Sequence, residues 1–275
     1  MKRLAPPHVL AGFLATLLIL PSISHAWGAR GHGAIGVLAV EQLSPEARSA
    51  LDDLLGATDT DVIVGACVWS DTWRNLGDGL DQSRWHYVNI DPDSTAYRGD
   101  RDCPEGDQCV TAQVNAHAAA LADRSLDRET RRLAFKGLCH FAGDLHQPLH
   151  VGYADDRGGN DVTIRYRGQE MNLHRYWDSG VIETKTETLA DLLELLRDRP
   201  HQAVGSWQPA DTYAWTNESW SLTRNFAYPP THTVDEGFET RSWNVMQQQL
   251  DVGAARLAAI LEWVLAVPKA APPAE

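Results

Sequence analysis

The sequence predicts an all-α protein, a single mostly helical domain that carries a small β-hairpin. Apolar residues recur at spacings of three and four along most of the chain, which is the period of an amphipathic helix. Strict alternation of apolar and polar residues is confined to one short segment, at positions 161–172. The composition is that of a globular chain, with 43% hydrophobic and 22% charged residues among 275, which excludes collagen-like and low-complexity structure.

The first 26 residues predict a secretory signal peptide. Lys2 and Arg3 precede an apolar stretch at 9–20, and positions 24–26 supply a small-x-small pattern with cleavage expected after Ala26. An uncleaved membrane anchor is the alternative, and the shortness of the apolar stretch disfavours it. We therefore expect a secreted or periplasmic protein in an oxidising compartment, where disulfides persist.

Neither a linker nor an internal repeat divides the remaining chain. We expect one domain at 27–268, followed by a disordered tail at 269–275, with no membrane span, no stable protein partner and a monomeric state. The formal net charge of −13 excludes a protein that clamps duplex DNA through a basic surface.

The N-terminal half predicts helices in succession. The first is indicated by the apolar spacing of Ile35, Leu38 and Leu43, and Ser44 followed by Pro45 has the pattern of an N-cap with proline at the first helical position. The further helices predicted here cover 45–55, 62–74, 110–123 and 128–145. Pro148 is expected to arrest or kink the last of them.

The other segments predict an irregular loop, the hairpin and more helices. Residues 86–110 form an acidic stretch that we expect to be a loop, closed by a local disulfide between Cys103 and Cys109. The hairpin at 161–172 would turn at Arg167-Gly168. Further helices are predicted near Asn172, Leu189, Trp207 and Ser242.

The densest chemical signal lies near the end of the helix predicted at 128–145. His140 and Asp144 are four residues apart, so both point to the same side of that helix, about one turn apart. This is a spacing typical of metal ligands. His150 lies beyond Pro148, leaves the helical line and can reach a different ion. A histidine-rich helix end without a metal is the simpler interpretation that further ligands must outweigh.

Further ligand types occur elsewhere along the chain. His174 and Asp178 repeat the His-x3-Asp spacing, Asp71 places a carboxylate on an otherwise apolar helix, and His86 and His32 add imidazoles. Imidazole and carboxylate ligands without thiolate favour zinc or a similar ion in a catalytic site.

Taken in order from Trp27 to Asp178, these motifs resemble the zinc-dependent single-strand nuclease family of the phospholipase C/nuclease superfamily. The resemblance rests on nine residues at similar spacing: Trp27, His32, Asp71, His86, His140, Asp144, His150, His174 and Asp178. It implies three Zn²⁺ ions. The first would be held by Asp71, His86, His140 and Asp144. The second would be held by His32, Asp144 and the amine and carbonyl of a newly N-terminal Trp27. The third would be held by His150, His174 and Asp178.

The resemblance also implies an activity, an endonuclease and 3′-nucleotidase that cleaves single-stranded DNA, RNA and 3′-nucleotides to products with 5′-phosphates. Asp71, Arg74 and Asp144 would be catalytic, with Arg74 neutralising charge on the phosphoryl oxygens. Tyr87 stands where relatives place a base-stacking aromatic. Asn89 replaces a base-binding aspartate, and Asn160 follows a Gly-Gly turn as a substrate contact.

Two other functions remain open from the sequence. A zinc phospholipase C would share these metals, but it usually has Glu where Asp178 stands and a longer gap between Trp27 and the next histidine. A non-catalytic secreted zinc-binding protein would need neither a second and third ion nor an arginine beside them.

Several single residues have no pattern that decides their role. Pairing of Cys67 with Cys139 stays open, and Asn217 is a glycosylation site only in a eukaryotic source. His146 is interpreted as a residue behind the ligands or as solvated, and His117 and His201 as surface or core residues.

Overall fold

Helices form most of the protein, as the computed structural model shows for residues 27–74, 80–199 and 204–265. The side chains of residues 74, 80 and 81 lie outside the described part. So do the predicted signal peptide at 1–26, His201, and the predicted tail at 269–275.

Twelve α-helices occur in these ranges, and two of them continue into a π-helical turn, at Tyr176–Gly180 and Thr223–Ala227. In chain order the α-helices are α1 (Gly28–Glu41), α2 (Pro45–Leu55), α3 (Thr60–Cys67), α4 (Trp69–Arg74), α5 (Gly99–Asp102), α6 (Val110–Ala122), α7 (Arg128–Leu145), α8 (Leu173–Arg175), α9 (Val181–Lys185), α10 (Leu189–Arg197), α11 (Asp211–Leu222) and α12 (Glu236–Leu265).

Two helix starts follow directly from the sequence. The Ser44 hydroxyl accepts from the backbone N–H of Ala47, and Pro45 occupies the first turn of α2, as the N-cap pattern predicts. At the start of α7 the Asp127 carboxylate accepts the N–H groups of Glu129 and Thr130. These caps satisfy backbone donors that have no partner within the helix.

The core lies between the long helices. α1 packs against α12, α3 and α7, and α6 packs along α7. Every residue of α1 from Gly31 to Val40 is buried, which places this helix inside the domain rather than on its surface. The C-terminal part of α7, from Gly137 to Leu145, is buried in the same way. Within the described ranges, no helix joins enough length to enough apolar character to cross a bilayer.

Two small sheets accompany the helices, and the predicted all-α class with a hairpin is confirmed. Strands β3 (Thr163–Tyr166) and β4 (Gln169–Asn172) pair antiparallel, with Thr163 opposite Asn172 and a turn at Arg167-Gly168. Both turn residues have positive φ, which explains the glycine.

The other sheet corrects the prediction that residues 86–110 form only a loop. Strand β1 (Val88–Ile90) pairs in parallel with β2 (Val151–Tyr153), and the short helix α5 follows. Three residues are too few for alternation to reveal a strand, and its partner lies 63 positions along the chain.

The helix predicted at 62–74 is in fact two helices, α3 and α4, that meet at Val68. The carbonyl of Cys67, next to this break, accepts a hydrogen bond from the His140 ring at 2.9 Å. Farther along, the helix expected near Trp207 begins only at Asp211. The helix expected near Asn172 is short and passes into the first π-helical turn.

Two disulfides join cysteines that are all nearly or fully buried. Cys103 bonds with Cys109, the pairing that the sequence predicts, and Cys67 bonds with Cys139, which the sequence leaves open. The second bond joins the end of α3 to α7. A side chain at Gly36 of α1 would collide with both of its sulfurs, so glycine is required at that contact.

Candidate metal centre

Three histidines near the centre of the molecule are held in the same way. In each, Nδ1 lies within hydrogen-bonding distance of a backbone carbonyl, so we assign Nδ1 as the donor to that carbonyl, and Nε2 is the nitrogen that faces the neighbouring ligand groups. The pairs are His140 with the Cys67 carbonyl at 2.9 Å, His150 with the His86 carbonyl at 2.6 Å, and His174 with the Gly158 carbonyl at 2.7 Å. Metal-ligating histidines are commonly oriented by such bonds.

Asp144, on α7, is fully buried at the centre of the cluster. Its Oδ2 lies 3.0 Å from Nδ1 of His86 and 3.1 Å from Nε2 of His140. Its Oδ1 lies 3.3 Å from Nε2 of His32 and 3.5 Å from Nδ1 of His150. One carboxylate therefore faces four imidazoles supplied by different parts of the chain.

The potential ligands form three groups of buried side chains, and within each group the ligand atoms lie within 4.8 Å of one another. The groups are His32 with His140 and Asp144, Asp71 with His86 and His140, and His150 with His174 and Asp178. The eight histidine and aspartate side chains singled out in the sequence are thus brought together in one buried region.

Four buried atoms test whether a cation fits this region. Both ring nitrogens of His32, Oδ1 of Asp144 and Nε2 of His150 have no hydrogen-bond partner. Buried polar groups are rarely left unsatisfied, because losing water without a replacement costs free energy. A cation coordinated by these atoms would satisfy them, so the residues fit a metal.

The donor chemistry narrows the choice of metal. All four cysteines are in disulfides, so the available ligands are imidazole nitrogens and carboxylate oxygens. This set suits zinc and similar borderline ions better than ions that prefer thiolate or oxygen alone.

The charged side chains of the cluster favour positive charge at its centre. Burial alone would lower the pKa of His140, but the Asp144 and Asp71 carboxylates raise it to about 9. Burial opposes protonation of His150 as well, and Asp144 and Asp178 nevertheless raise its pKa. Burial would raise the pKa of Asp144, but the neighbouring His140 and His150 hold it well below its ordinary value.

Two further histidines of the cluster, His32 and His174, behave differently. Burial, with the nearby charge of His140, lowers the pKa of His32, and burial likewise lowers that of His174. The carboxylates of the cluster therefore favour a proton on His140 and on His150 over one on His32 or His174. A metal ion would have to displace these protons, because a ligating imidazole nitrogen must be unprotonated.

Close backbone approach shapes the walls of the centre. A side chain at Gly143 of α7 would collide with the His32 ring, so glycine lets α1 bring this histidine against Asp144. Gly158 has φ +62°, in the left-handed region that favours glycine, and its carbonyl orients His174.

Trp27 lies beside the same helix. Its side chain is fully buried, and its indole N–H donates to the Gly143 carbonyl at 2.8 Å, next to Asp144 in sequence. Its own carbonyl accepts the Gly31 N–H at 3.1 Å. The indole thus anchors the start of α1 near the ligands, while metal ligation by the Trp27 backbone stays a prediction.

A recess of about 190 Å³ is lined in part by residues that are close to His86 in the sequence. Tyr87 and Asn89 line it, and the sequence pattern misses two further lining residues, Arg84 and Gln108. Asp102 also lines it and is paired with Arg101 at 2.6 Å. The recess therefore combines an aromatic ring, amides and a guanidinium, and none of the eight ligand side chains is among its lining residues.

Other predicted residues have different outcomes. Asn160 donates to the Arg157 carbonyl at 3.0 Å, so its described contact is within its own turn. The side chain of Arg74 lies outside the described part, although its backbone ends α4, the helix of Asp71. Of the two interpretations of His146, the solvated one is wrong, because its ring is fully buried and contacts the Ala142 carbonyl and Arg256.

Gln147 is a further buried side chain that sequence reasoning passed over. Its amide N–H donates to Oδ1 of Asp178 at 2.6 Å. Its position between His146 and His150 was visible in the sequence, but nothing in the spacing indicates contact with a residue 31 positions away.

Sequence comparison relates the chain to known nucleases. The sequence model of the S1/P1 Nuclease family matches residues 27–266. Endonuclease 2 of Arabidopsis thaliana is 34% identical over 286 residues, covering 92% of this chain and 96% of that protein. Nuclease P1 of Penicillium citrinum is 31% identical over 56% of this chain and 57% of its own length. Nuclease S1 of Aspergillus oryzae is 28% identical over 70% and 68%.

Proposed function

The chain belongs to the S1/P1 nuclease family, and from this premise we propose that it is a secreted endonuclease and 3′-nucleotidase that uses three zinc ions. Its substrates would be single-stranded DNA and RNA and 3′-nucleotides, and its products would carry 5′-phosphates. Nuclease activity follows from the family. The strand preference, the nucleotidase activity and the metal are our proposal.

The observation that carries this proposal is the set of three buried ligand groups, two of which share His140. Asp144 joins the first two groups, because its two oxygens face the imidazoles of both. Asp178 belongs to the third group alone, with Oδ2 3.5 Å from Nε2 of His174. Three adjacent cations would make this pocket strongly positive in an acidic protein and would attract a phosphodiester locally.

Some residues of the chain would hold the metal ions, and Arg74 would contact the substrate. Zinc, when bound, supplies a nucleophile near neutral pH and stabilises charge on phosphoryl oxygens. Asp71, His86, His140 and Asp144 would hold the first ion, and His32, Asp144 and the Trp27 amine and carbonyl the second. His150, His174 and Asp178 would hold the third. Arg74 would donate to the phosphoryl oxygens, where one such donor contributes about 10²-fold or more to kcat.

Single-strand preference would come from the recess beside His86. The Tyr87 ring offers a face for one base, and stacking tolerates any sequence but requires an unpaired base. The Asn89 amide both donates and accepts hydrogen bonds, so it can contact more than one base type. Asn160 would contact substrate from the turn that orients His174.

Processing would complete the centre. Cleavage after Ala26 would give Trp27 a free amine, which can bind a cation, whereas an amide nitrogen in a longer chain has its lone pair delocalised into the peptide bond. The family match that begins at residue 27 supports this boundary. We accordingly propose a secreted or periplasmic monomer.

A paired assay tests the function. The purified protein with zinc should release acid-soluble nucleotides from single-stranded DNA much faster than from duplex DNA, and it should not release choline phosphate from lecithin. Activity should disappear on chelation and return with zinc. Choline phosphate release without DNA hydrolysis would assign a phospholipase C, and zinc binding without either activity would assign a non-catalytic protein.

A further inference from the structure

Gln147 lies in the tight connection between α7 and the short 3₁₀-helical turn that carries His150. Its side chain is fully buried, and both ends of its amide are engaged. Oε1 accepts the backbone N–H of Leu149 at 2.6 Å, and Nε2 donates to Oδ1 of Asp178 at 2.6 Å.

These two contacts fix the orientation of the amide. The Leu149 N–H can only donate, so the amide oxygen must face it, and the amide nitrogen must then face Asp178. An ionised carboxylate can only accept, so the two requirements agree. The amide cannot flip without losing both bonds and leaving buried polar groups unsatisfied, which costs about 1–3 kcal/mol for each group.

The contact selects one oxygen of Asp178. Oδ1 receives the Gln147 amide, and it also lies 3.7 Å from Nε2 of His150. Oδ2 lies 3.5 Å from Nε2 of His174. Gln147 thus holds one edge of the carboxylate in place while the other oxygen faces His174.

The chemistry of the partner also matters. A lysine or arginine at this position would neutralise Asp178 and compete with a cation for it. A neutral amide orients the carboxylate and leaves its full negative charge available. This is the arrangement that favours a carboxylate as a metal ligand.

We propose that Gln147 is a positioning residue for the third ion, acting through Asp178. The inference rests on the proposed function in one respect, namely that the group of His150, His174 and Asp178 binds zinc. Gln147 is not itself a ligand, but occupancy of the third site would depend on it.

The alternative is that Gln147 only stabilises the turn after α7. Gln113 provides a matched control, because it is a buried glutamine whose Nε2 donates to the Asp107 carbonyl at 2.8 Å, on α6. Its acceptor is a backbone group with no contact to the metal ligands. Methionine is close to glutamine in size and has no amide, so the same replacement at either position removes the hydrogen bonds and keeps the side-chain volume.

The experiment measures Zn²⁺ binding by the mature full-length protein and by Gln147→Met and Gln113→Met. Zinc content after dialysis in zinc buffers, and titration against a chromophoric chelator, give the number of ions and their affinities. For Gln147→Met we expect one ion, that of His150, His174 and Asp178, to lose 10- to 100-fold in affinity, as when other partners that orient a ligand are removed, with the other two ions retained. For Gln113→Met we expect a lower Tm with three ions at wild-type affinity.

Gln147→Asn serves if the methionine variant does not fold. Its amide is one methylene shorter and cannot reach both Leu149 and Asp178, so the same selective weakening is expected. Three ions at wild-type affinity in either folded variant would overturn the inference while leaving the proposed function intact. Fewer than three ions in an active wild-type protein would overturn both the three-zinc assignment and this role.

Discussion

Replacement of Asp144 by asparagine should remove more zinc and more activity than the same replacement of Asp178. Asp144 is fully buried and faces four imidazoles at 3.0–3.5 Å, whereas Asp178 faces two at 3.5–3.7 Å. The change Asp144→Asn keeps the shape of the side chain and removes its charge. Both ions of the shared pair should therefore be weakened, whereas Asp178→Asn should affect only the third.

The size of the effect follows from His140. The Asp144 and Asp71 carboxylates outweigh burial and raise its pKa to about 9, against an ordinary value of 6.5. A difference of roughly 2.5 units corresponds to roughly 3 kcal/mol in favour of positive charge at that ring. The Asp144 carboxylate makes the largest contribution to this attraction, so losing it should weaken the binding of each adjacent cation by about 10²-fold.

The assay combines zinc content with kinetics on single-stranded DNA. After dialysis at a zinc concentration that saturates the wild type, Asp144→Asn should retain about one ion and have a severely reduced kcat. Asp178→Asn should retain about two. Circular dichroism establishes that both variants are folded. Equal losses of zinc and of kcat in the two variants would refute the assignment of Asp144 as the shared ligand.

Four further outcomes are expected. An extra alanine before Trp27 in the mature protein should lower zinc content and DNA hydrolysis, and equal values with and without it would reduce Trp27 to a packing role. Arg74→Ala should keep its zinc and lose about 10²-fold in kcat, and loss of zinc instead would place the arginine among groups that support the metal. Zinc binding at pH 7.5 should release protons, because the pKa of His140 is raised to about 9 and its ring must lose a proton to bind the ion. Calorimetry should show a binding heat that depends on the ionisation enthalpy of the buffer and an apparent affinity that rises with pH up to about 9, and a buffer-independent heat would contradict this. Burial and Arg256 lower the pKa of His146 to about 3, so between pH 6.5 and pH 3 only the unfolded chain binds a proton at this ring, and the folded state loses stability as the pH falls. Urea unfolding in the presence of a chelator should show that His146→Gln loses about 2 kcal/mol less unfolding free energy than the wild type between pH 7 and pH 5, and equal losses would contradict this.

Much of the fold was predictable because its signals are local. The Ser44-Pro45 cap, the helical periods of α1 and α7, and the Arg167-Gly168 turn each depend on residues within one or two turns of one another. The family was also predictable, because the candidate ligands follow one another along the chain in the order and at the spacing typical of that family, and the family match confirms it.

Predictions failed where a distant partner decides the local structure. The break between α3 and α4 lies next to the Cys67 carbonyl, which accepts a hydrogen bond from His140, 73 residues away. Strand β1 likewise pairs with a strand 63 positions later. Periodicity carries no information about such partners.

The same limit applies to the site. Spacing placed His140 and Asp144 on one side of a helix, but it could not indicate that Gln147 contacts Asp178 or that His146 turns away to Arg256. The direction of a side chain beyond a helix end depends on the packing of helices that are far apart in sequence. Arg84 belongs to no motif, and only the structure places it with Tyr87 in the lining of one recess.

The bond between Cys67 and Cys139 closes a segment of 72 residues that contains Asp71 and His86 and ends next to His140. In the chain-entropy description, a cross-link around a segment of this length stabilises the folded state by about 4 kcal/mol, a large part of the stability of an ordinary domain. A reducing compartment withholds that contribution, and the compartment that contains a cell's own nucleic acids is the reducing one. On the proposed route of secretion, the covalent link would tie the stability of the enzyme to export, and the producing cell would be protected from the nuclease until the protein has left.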